Sequence, residues 1–188
     1  MNIYAMIPAR YGSKRLKNKN IHDFLGKPMI FYAINACLKS NLISRVFVST
    51  ESKIISEIAS NYGAEILFRP EELAQDNVPT QEVMKHFLKN FPELDILVVV
   101  QANSPNVKSK KINEAVQKLI DNNLREVRTV DSNGLENGAI WVASRNAIEW
   151  NGLSVYFGVI NDDSIDIHTI EDLKQAEKKE LSDNLLNS

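Results

Sequence analysis

Asp95-Ile96-Leu97-Val98-Val99-Val100-Gln101 is apolar at five consecutive positions, between a carboxylate and an amide. A strand with one wet face alternates polar and apolar residues. One that is apolar throughout is covered on both faces, as in the middle of a parallel sheet. Outward from this stretch, short β-branched runs alternate with longer helical patterns. Further strands are predicted at Asn2 to Ile7, Arg45 to Ser49, Ala64 to Phe68, Gly138 to Ala143 and Ser154 to Ile160. Helices are predicted over Pro28 to Ser40, over Ser52 to Tyr62 with Gly63 closing it, over Thr80 to Asn90 and over Lys110 to Asn122. A last helix follows Thr169, where Thr169-Ile170-Glu171-Asp172 resembles a capping box. The alternation predicts an α/β fold, a three-layer sandwich with a mostly parallel sheet, as a single domain over residues 1–188.

Composition narrows the function. The 188 residues are 44% hydrophobic and 24% charged, which excludes a disordered or collagen-like chain. A formal net charge of −2 argues against nucleic acid as a partner. The one cysteine, Cys37, fits a reducing cytoplasm. No apolar run nears the roughly 20 residues of a membrane span, and the first residues lack the features of a signal peptide. A cytoplasmic protein without a membrane partner is expected.

Charge concentrates in one place. Arg10-Tyr11-Gly12-Ser13-Lys14-Arg15-Leu16-Lys17-Asn18-Lys19 holds five cations and no acid. It follows the first strand, at the sheet edge where open α/β folds bind ligands. Gly12 and Ser13 let backbone N–H groups turn toward an anion that the cations neutralise, and a polyphosphate fits. The spacing is neither the Walker A loop nor the dinucleotide Gly-x-Gly-x-x-Gly, which disfavours a P-loop ATPase and an NAD-dependent dehydrogenase. A solvated charged loop is the plain alternative.

These residues resemble the cytidylyltransferases that activate acidic sugars, the CMP-sialic acid synthetase family. The resemblance runs through Ala9-Arg10-x-Gly12-Ser13-Lys14 with Lys19-Asn20, then Val48-Ser49-Thr50-Glu51, then Arg69-Pro70-Glu71-Glu72-Leu73-Ala74-x-Asp76-x-x-x-Thr80. Gln101-Ala102-Asn103-Ser104-Pro105 is similar to Gln-Pro-Thr-Ser-Pro, and Asn137-Gly138-Ala139-Ile140 and Ser164-Ile165-Asp166-Ile167 follow in order. The first loop also resembles CMP-Kdo synthetases. The resemblance implies a nucleotide-diphospho-sugar transferase-like sheet and metal-dependent transfer of CMP from CTP to an acidic sugar, with loss of pyrophosphate. It places Arg10, Ser13, Lys14 and Lys19 on the triphosphate, with Asn20, Arg69, Thr80 and Gln101 around the cytidine. Arg10, Lys14 and Asp166 become the catalytic set, Asp166 and His168 the metal ligands, and Asn137 and Trp141 the acceptor contacts. Plainer roles stand beside these: a strand end for Arg69, a helix N-cap for Thr80, backbone satisfaction for Gln101, a turn for Asn137-Gly138 and core packing for Trp141.

Two departures stand out. His168 replaces the second carboxylate of the family's Asp-x-Asp. That is consistent with a weakened Mg2+ site, a shift toward Mn2+, or a domain that no longer catalyses. Only 31 residues separate Pro105 from Asn137. The family's longer stretch there carries its dimerisation arm and part of the sugar pocket, so a homodimer of the family's kind is expected to be altered. The competing readings are a cytidylyltransferase for a nonulosonate or related sugar acid, a nucleotide-binding regulatory homologue, and a nucleotidyltransferase for another sugar, Kdo included.

Overall fold

The computed structural model describes all residues except 14, 151–155 and 187–188. In chain order its elements are β1 (Ile3–Pro8), β2 (Asp23–Phe24), β3 (Lys27–Pro28), α1 (Met29–Leu38), β4 (Arg45–Thr50), α2 (Lys53–Asn61), β5 (Glu65–Phe68), α3 (Thr80–Asn90) and β6 (Ile96–Val100). They continue with α4 (Ser109–Asp121), β7 (Glu126–Val130), β8 (Glu136–Ser144), α5 (Arg145–Glu149), β9 (Phe157–Asn161) and α6 (Ile170–Leu186). Seven strands form one sheet in the order β5-β4-β1-β6-β8-β7-β9. Pairs β5-β4, β4-β1, β1-β6 and β7-β9 are parallel; β8 runs antiparallel to both neighbours.

The strand Ile96–Val100 sits inside the sheet, and its five side chains divide between the two faces. Ile96, Val98 and Val100 join Ile3, Ala5 and Ile7 of β1 under α1, α2 and α4. Leu97 and Val99 join Tyr4 and Met6 under α3 and α5. That division makes a three-layer sandwich and explains why neither strand alternates. A third cluster ties α6 to the charged loop and the start of α1 through Leu16, Phe24, Met29, Ile167, Leu173 and Ala176.

Helix boundaries follow their signals. Ser52 caps α2 by accepting from the Ile55 N–H at 3.3 Å, and Gly63 takes a φ of +88° after its last turn. The capping box is present: the Thr169 N–H donates to Asp172 at 2.8 Å, and the Asp172 N–H to Thr169 Oγ1 at 3.2 Å. One capping expectation fails. Pro79 takes the N-cap position of α3, and Thr80 is its first helical residue with no side-chain cap.

The stretch 124–136, for which no strand or helix is predicted, contains β7. Glu126-Val127-Arg128-Thr129-Val130 alternates polar and apolar residues, and Val127 is buried under α4 with Ile140, Val142 and Ile160. A tight turn joins β7 to β8. Asp131 Oδ1 accepts from the N–H groups of Asn133 and Leu135, and Gly134 takes a φ of +79° that other residues rarely adopt. The last strand begins at Phe157; the preceding part of its predicted range, 154–155, lies outside the described residues. Trp150 is exposed, with the Arg125 guanidinium 5.5 Å from its ring.

Candidate active site

Chain order reverses at β1. The strands β4 and β5 lie to one side of it and β6 to the other, so the carboxyl ends of β1 and β6 frame a crevice. The cleft there is lined by Pro8, Arg10, Ser13, Lys19 and Asn20 after β1, Arg69 after β5, and Gln101 and Asn103 after β6. Leu73 to Val83, including Gln75, Asp76 and Thr80, contribute the remaining wall. Arg10, Ser13, Lys19, Asn20, Arg69, Thr80 and Gln101, scattered over 92 positions of sequence from 10 to 101, therefore meet in one place. Lys14 lies outside the described residues.

The loop that carries the cations is pinned at both ends. The Ala9 N–H donates to the Ser49 carbonyl at 3.0 Å, and the Tyr11 N–H to Glu51 Oε1 at 2.8 Å. The buried Asn20 amide donates to the Arg10 carbonyl at 2.9 Å, closing the loop on itself. Leu16 anchors the middle in the α6 cluster. The charged side chains sit on a fixed frame, which reduces the entropy lost on gripping an anion.

Each cation has a distinct surrounding. Arg69 is 7% exposed, its Nη2 lies 3.4 Å from Glu51 Oε2, and its Nε is buried without a partner. Burial pulls its basicity below the ordinary value, and Glu51 acts in the opposite sense. Arg10 forms an ion pair with Asp76 and reaches the Ala74 carbonyl at 3.4 Å. Burial also lowers the Lys19 ammonium from its usual 10.5; Asp166 opposes this, and Arg15 and Arg10 reinforce it.

Asp166 and His168 stand beside this cleft. Their side chains meet at 2.7 Å, as expected of residues two apart in an extended run. Asn103 Nδ2 donates to Asp166 Oδ1 and to the Ile167 carbonyl, and Lys19 Nζ lies 3.5 Å from His168 Nδ1. Among the described residues, no group of three or more His, Cys, Asp or Glu converges to hold a metal ion.

Asn137 and Trp141 do not line that cleft. The Asn137 amide donates to the Asp162 carbonyl at 2.6 Å and accepts from the Ala139 N–H, while Gly138 takes a φ of +71°. The Trp141 indole N–H donates to Glu126 at 2.9 Å, and the Arg128 guanidinium lies 4.0 Å from the ring centroid. Sequence reasoning missed Glu51, Asp76 and Asn103 as parts of the site. Each sat inside a quoted motif, and the unbalanced charge of the loop was a signal that acids must lie elsewhere.

Residues 4–152 match the model of a family described as Cytidylyltransferase. The chain belongs to that family. It is similar to N-acylneuraminate cytidylyltransferase of Escherichia coli O18:K1:H7 (strain RS218 / NMEC), 43% identical over 115 residues, 61% of this chain and 27% of the relative. It is similar to CMP-N,N'-diacetyllegionaminic acid synthase of Legionella pneumophila, 38% identical over 122 residues, 62% of this chain and 53% of that enzyme. The chain thus spans between about a quarter and half the length of these curated relatives. Among solved structures, CMP:2-keto-3-deoxy-manno-octonic acid synthetase complexed with CTP superposes with a TM-score of 0.82 at 15% identity, covering 97% of this chain and all of that one. A Mycobacterium tuberculosis protein complexed with manganese does so with a TM-score of 0.67 at 10% identity, covering 95% and 99%. At such identities these two structures show the fold alone, a mostly parallel α/β sheet.

Proposed function

We propose that this cytidylyltransferase-family protein transfers CMP from CTP to an acidic sugar of the nonulosonate class. What carries this reading is the convergence of Arg10, Ser13, Lys19, Arg69 and Gln101 from separate segments on one crevice at the chain reversal. Guanidinium and ammonium groups there match a triphosphate, and the neutral donors Asn20, Thr80 and Gln101 suit a base and ribose. A sugar hydroxyl gives up its proton to solvent and its oxygen bonds to the α-phosphorus, as the bond to the bridging oxygen breaks and pyrophosphate leaves. Negative charge grows on the departing oxygens, and fixed cations such as Arg10 and Lys19 lower the barrier where that charge appears. Lys14 belongs to the same proposal by its place in the loop.

The proposed metal is magnesium; a shift toward manganese would require His168 as a ligand. Both Asp166 oxygens and both His168 ring nitrogens face protein partners. The side chains do not fit a resident ion, so the ion belongs to the substrate as metal–CTP. The proposed compartment is the cytoplasm, where CTP is made; among the described residues no helix is long and apolar enough to cross a membrane. A screen for CTP binding, followed by pyrophosphate release against N-acetylneuraminate, legionaminate, pseudaminate and Kdo, tests the reading. Release with one of these sugars is the expected result. CTP binding without release for any would favour the regulatory reading.

A further inference from the structure

The segment after β9 is where the chain leaves the Asp-x-Asp pattern, and two departures meet there on one carboxylate. Asn103 stands where the resemblance has Thr, and it donates to Asp166 Oδ1. His168 stands where it has Asp, and its Nε2 lies 2.7 Å from Asp166 Oδ2. The other ring nitrogen, Nδ1, faces Lys19 Nζ at 3.5 Å. An ammonium only donates, so Nδ1 accepts, the ring proton sits on Nε2, and Nε2 donates to the carboxylate. A second tie fixes the backbone: the Ile167 N–H donates to the Asn103 carbonyl at 2.9 Å, and the Asn103 amide to the Ile167 carbonyl at 3.1 Å. The chain Asn103–Asp166–His168–Lys19 is hydrogen-bonded from end to end.

This arrangement is hostile to a bare dication. Hard divalent ions want several oxygen ligands, and the pair offers one carboxylate with both oxygens engaged. The ring's acceptor nitrogen points at an ammonium, which repels a metal ion. Two carboxylates would carry a charge of −2; here Asp166 carries −1, and Lys19 offsets it.

We infer that Asp166 and His168 hold no resident metal, and that with Asn103 they brace the Lys19 ammonium as a fixed cation at the phosphate end of the cleft. Asn103, Asp166 and His168 are then positioning residues acting through Lys19. The half concerning phosphate rests on the proposed function; the half concerning metal does not.

The experiment has two arms. In the first, Mn2+ is titrated into nucleotide-free protein and free Mn2+ is read by electron paramagnetic resonance. Wild type is expected to show no saturable binding. His168→Asp, alone and combined with Asn103→Thr, is expected to bind at least about 10- to 100-fold more tightly, the range by which a metal's supporting groups alter affinity. Wild-type binding as tight as that of His168→Asp overturns the metal half. In the second arm, CTP affinity is measured by calorimetry for His168→Ala, Lys19→Ala and the double variant. His168→Ala should weaken CTP when Lys19 is present and change nothing when it is absent. Equal loss in both backgrounds overturns the brace. His168→Gln, whose amide offers a donor nitrogen and an acceptor oxygen, should retain most of the affinity that His168→Ala loses; failure to do so counts against the brace even if His168→Ala misfolds. Absence of CTP binding by wild type overturns the functional reading and the phosphate half together, while the metal titration answers separately.

Discussion

The two sides of the sheet's carboxyl edge are built on opposite principles. Around β1, β5 and β6 the polar side chains are mounted on pinned backbone and turn into a shared cleft, as Arg10, Lys19 and Arg69 do. Around β7, β8 and the 161–168 segment they turn to one another. Arg128 pairs with Glu126 at 3.2 Å and with Glu136 at 2.9 Å, Trp141 donates to Glu126, and Asn137 donates to Asp162. One side is a receptor for a ligand's charge. The other directs its charges at one another, with Arg128 Nε alone among these atoms buried without a partner, and a ligand gains from those pairs only by displacing existing bonds.

That contrast is broken most directly by the acceptor. A sialic acid brings a carboxylate, a glycerol tail and an acyl-amino group, and each polar group left unpartnered on burial costs about 1–3 kcal/mol. Arg128 is held by two carboxylates, and Arg125 precedes β7 at the amino end of β6, away from the cleft, with its guanidinium over Trp150 and Tyr156, so neither is placed to receive the sugar carboxylate. N-acetylneuraminate is therefore expected to be a poor acceptor compared with a smaller acidic or phosphorylated sugar. Steady-state turnover with N-acetylneuraminate above roughly 1 s⁻¹, the low end of ordinary enzyme rates, would show that the short β7–β8 turn suffices.

The receptor side is tested by Arg10→Ala. Losing one charge-assisted contact costs about 1.5–3 kcal/mol, or roughly 10- to 150-fold in affinity. CTP should weaken by this amount and cytidine hardly at all, as calorimetry would show. Equal loss for both would mean that Arg10 organises the cleft without touching phosphate.

The same contrast marks what could be read without coordinates. Ile96–Val100 announced a central strand because burial on both faces forbids alternation, and the cation-rich loop announced an anion because like charges do not gather without cause. Glu126–Val130 alternates and carries a strand's signature, but five residues between a helix and a turn look like a connection until a neighbour covers Val127. Partnerships at a distance were not legible. Nothing local says that Asn103 will meet Asp166, 63 positions away, or that Arg10 will meet Asp76. Glu51, which holds both Tyr11 and Arg69, is invisible for the same reason.

Asp172 offers a way to loosen the self-satisfied side alone. Its carboxylate accepts from the His168 and Thr169 N–H groups, each at 2.8 Å, and these bonds hold its carboxyl below the usual 3.8. Asp172→Ala should cost about 1 kcal/mol, the typical worth of a helix cap, seen as a lower urea midpoint. Because the folded-state value is depressed, this stability is present above the ordinary carboxylate value. It fades as pH falls toward the folded one. The wild-type and variant midpoints should converge in strong acid, and a gap that stays constant with pH would place Asp172's effect elsewhere. CTP affinity is expected to fall only slightly.

The smallest effect sharpens the comparison from the other side, since at Asp76, as at Glu51, the receptor region pairs its own charges. Its carboxylate pairs with Arg10, and the Ala74 carbonyl reaches the same guanidinium. A triphosphate that uses Arg10 must displace or share that partner. The two side chains are 32% and 41% exposed, so solvent screens the pair and its worth falls in the range of about 0.2–1 kcal/mol. Asp76→Asn keeps the size and removes the charge. It should tighten CTP by up to roughly fivefold, leave cytidine unchanged, and bind CTP best relative to wild type at low ionic strength. A calorimetric series at several salt concentrations decides the matter. If Asp76→Asn weakens CTP instead, the carboxylate's main effect is to orient Arg10 toward the phosphates, and the receptor side, like the other, depends on its internal bonds.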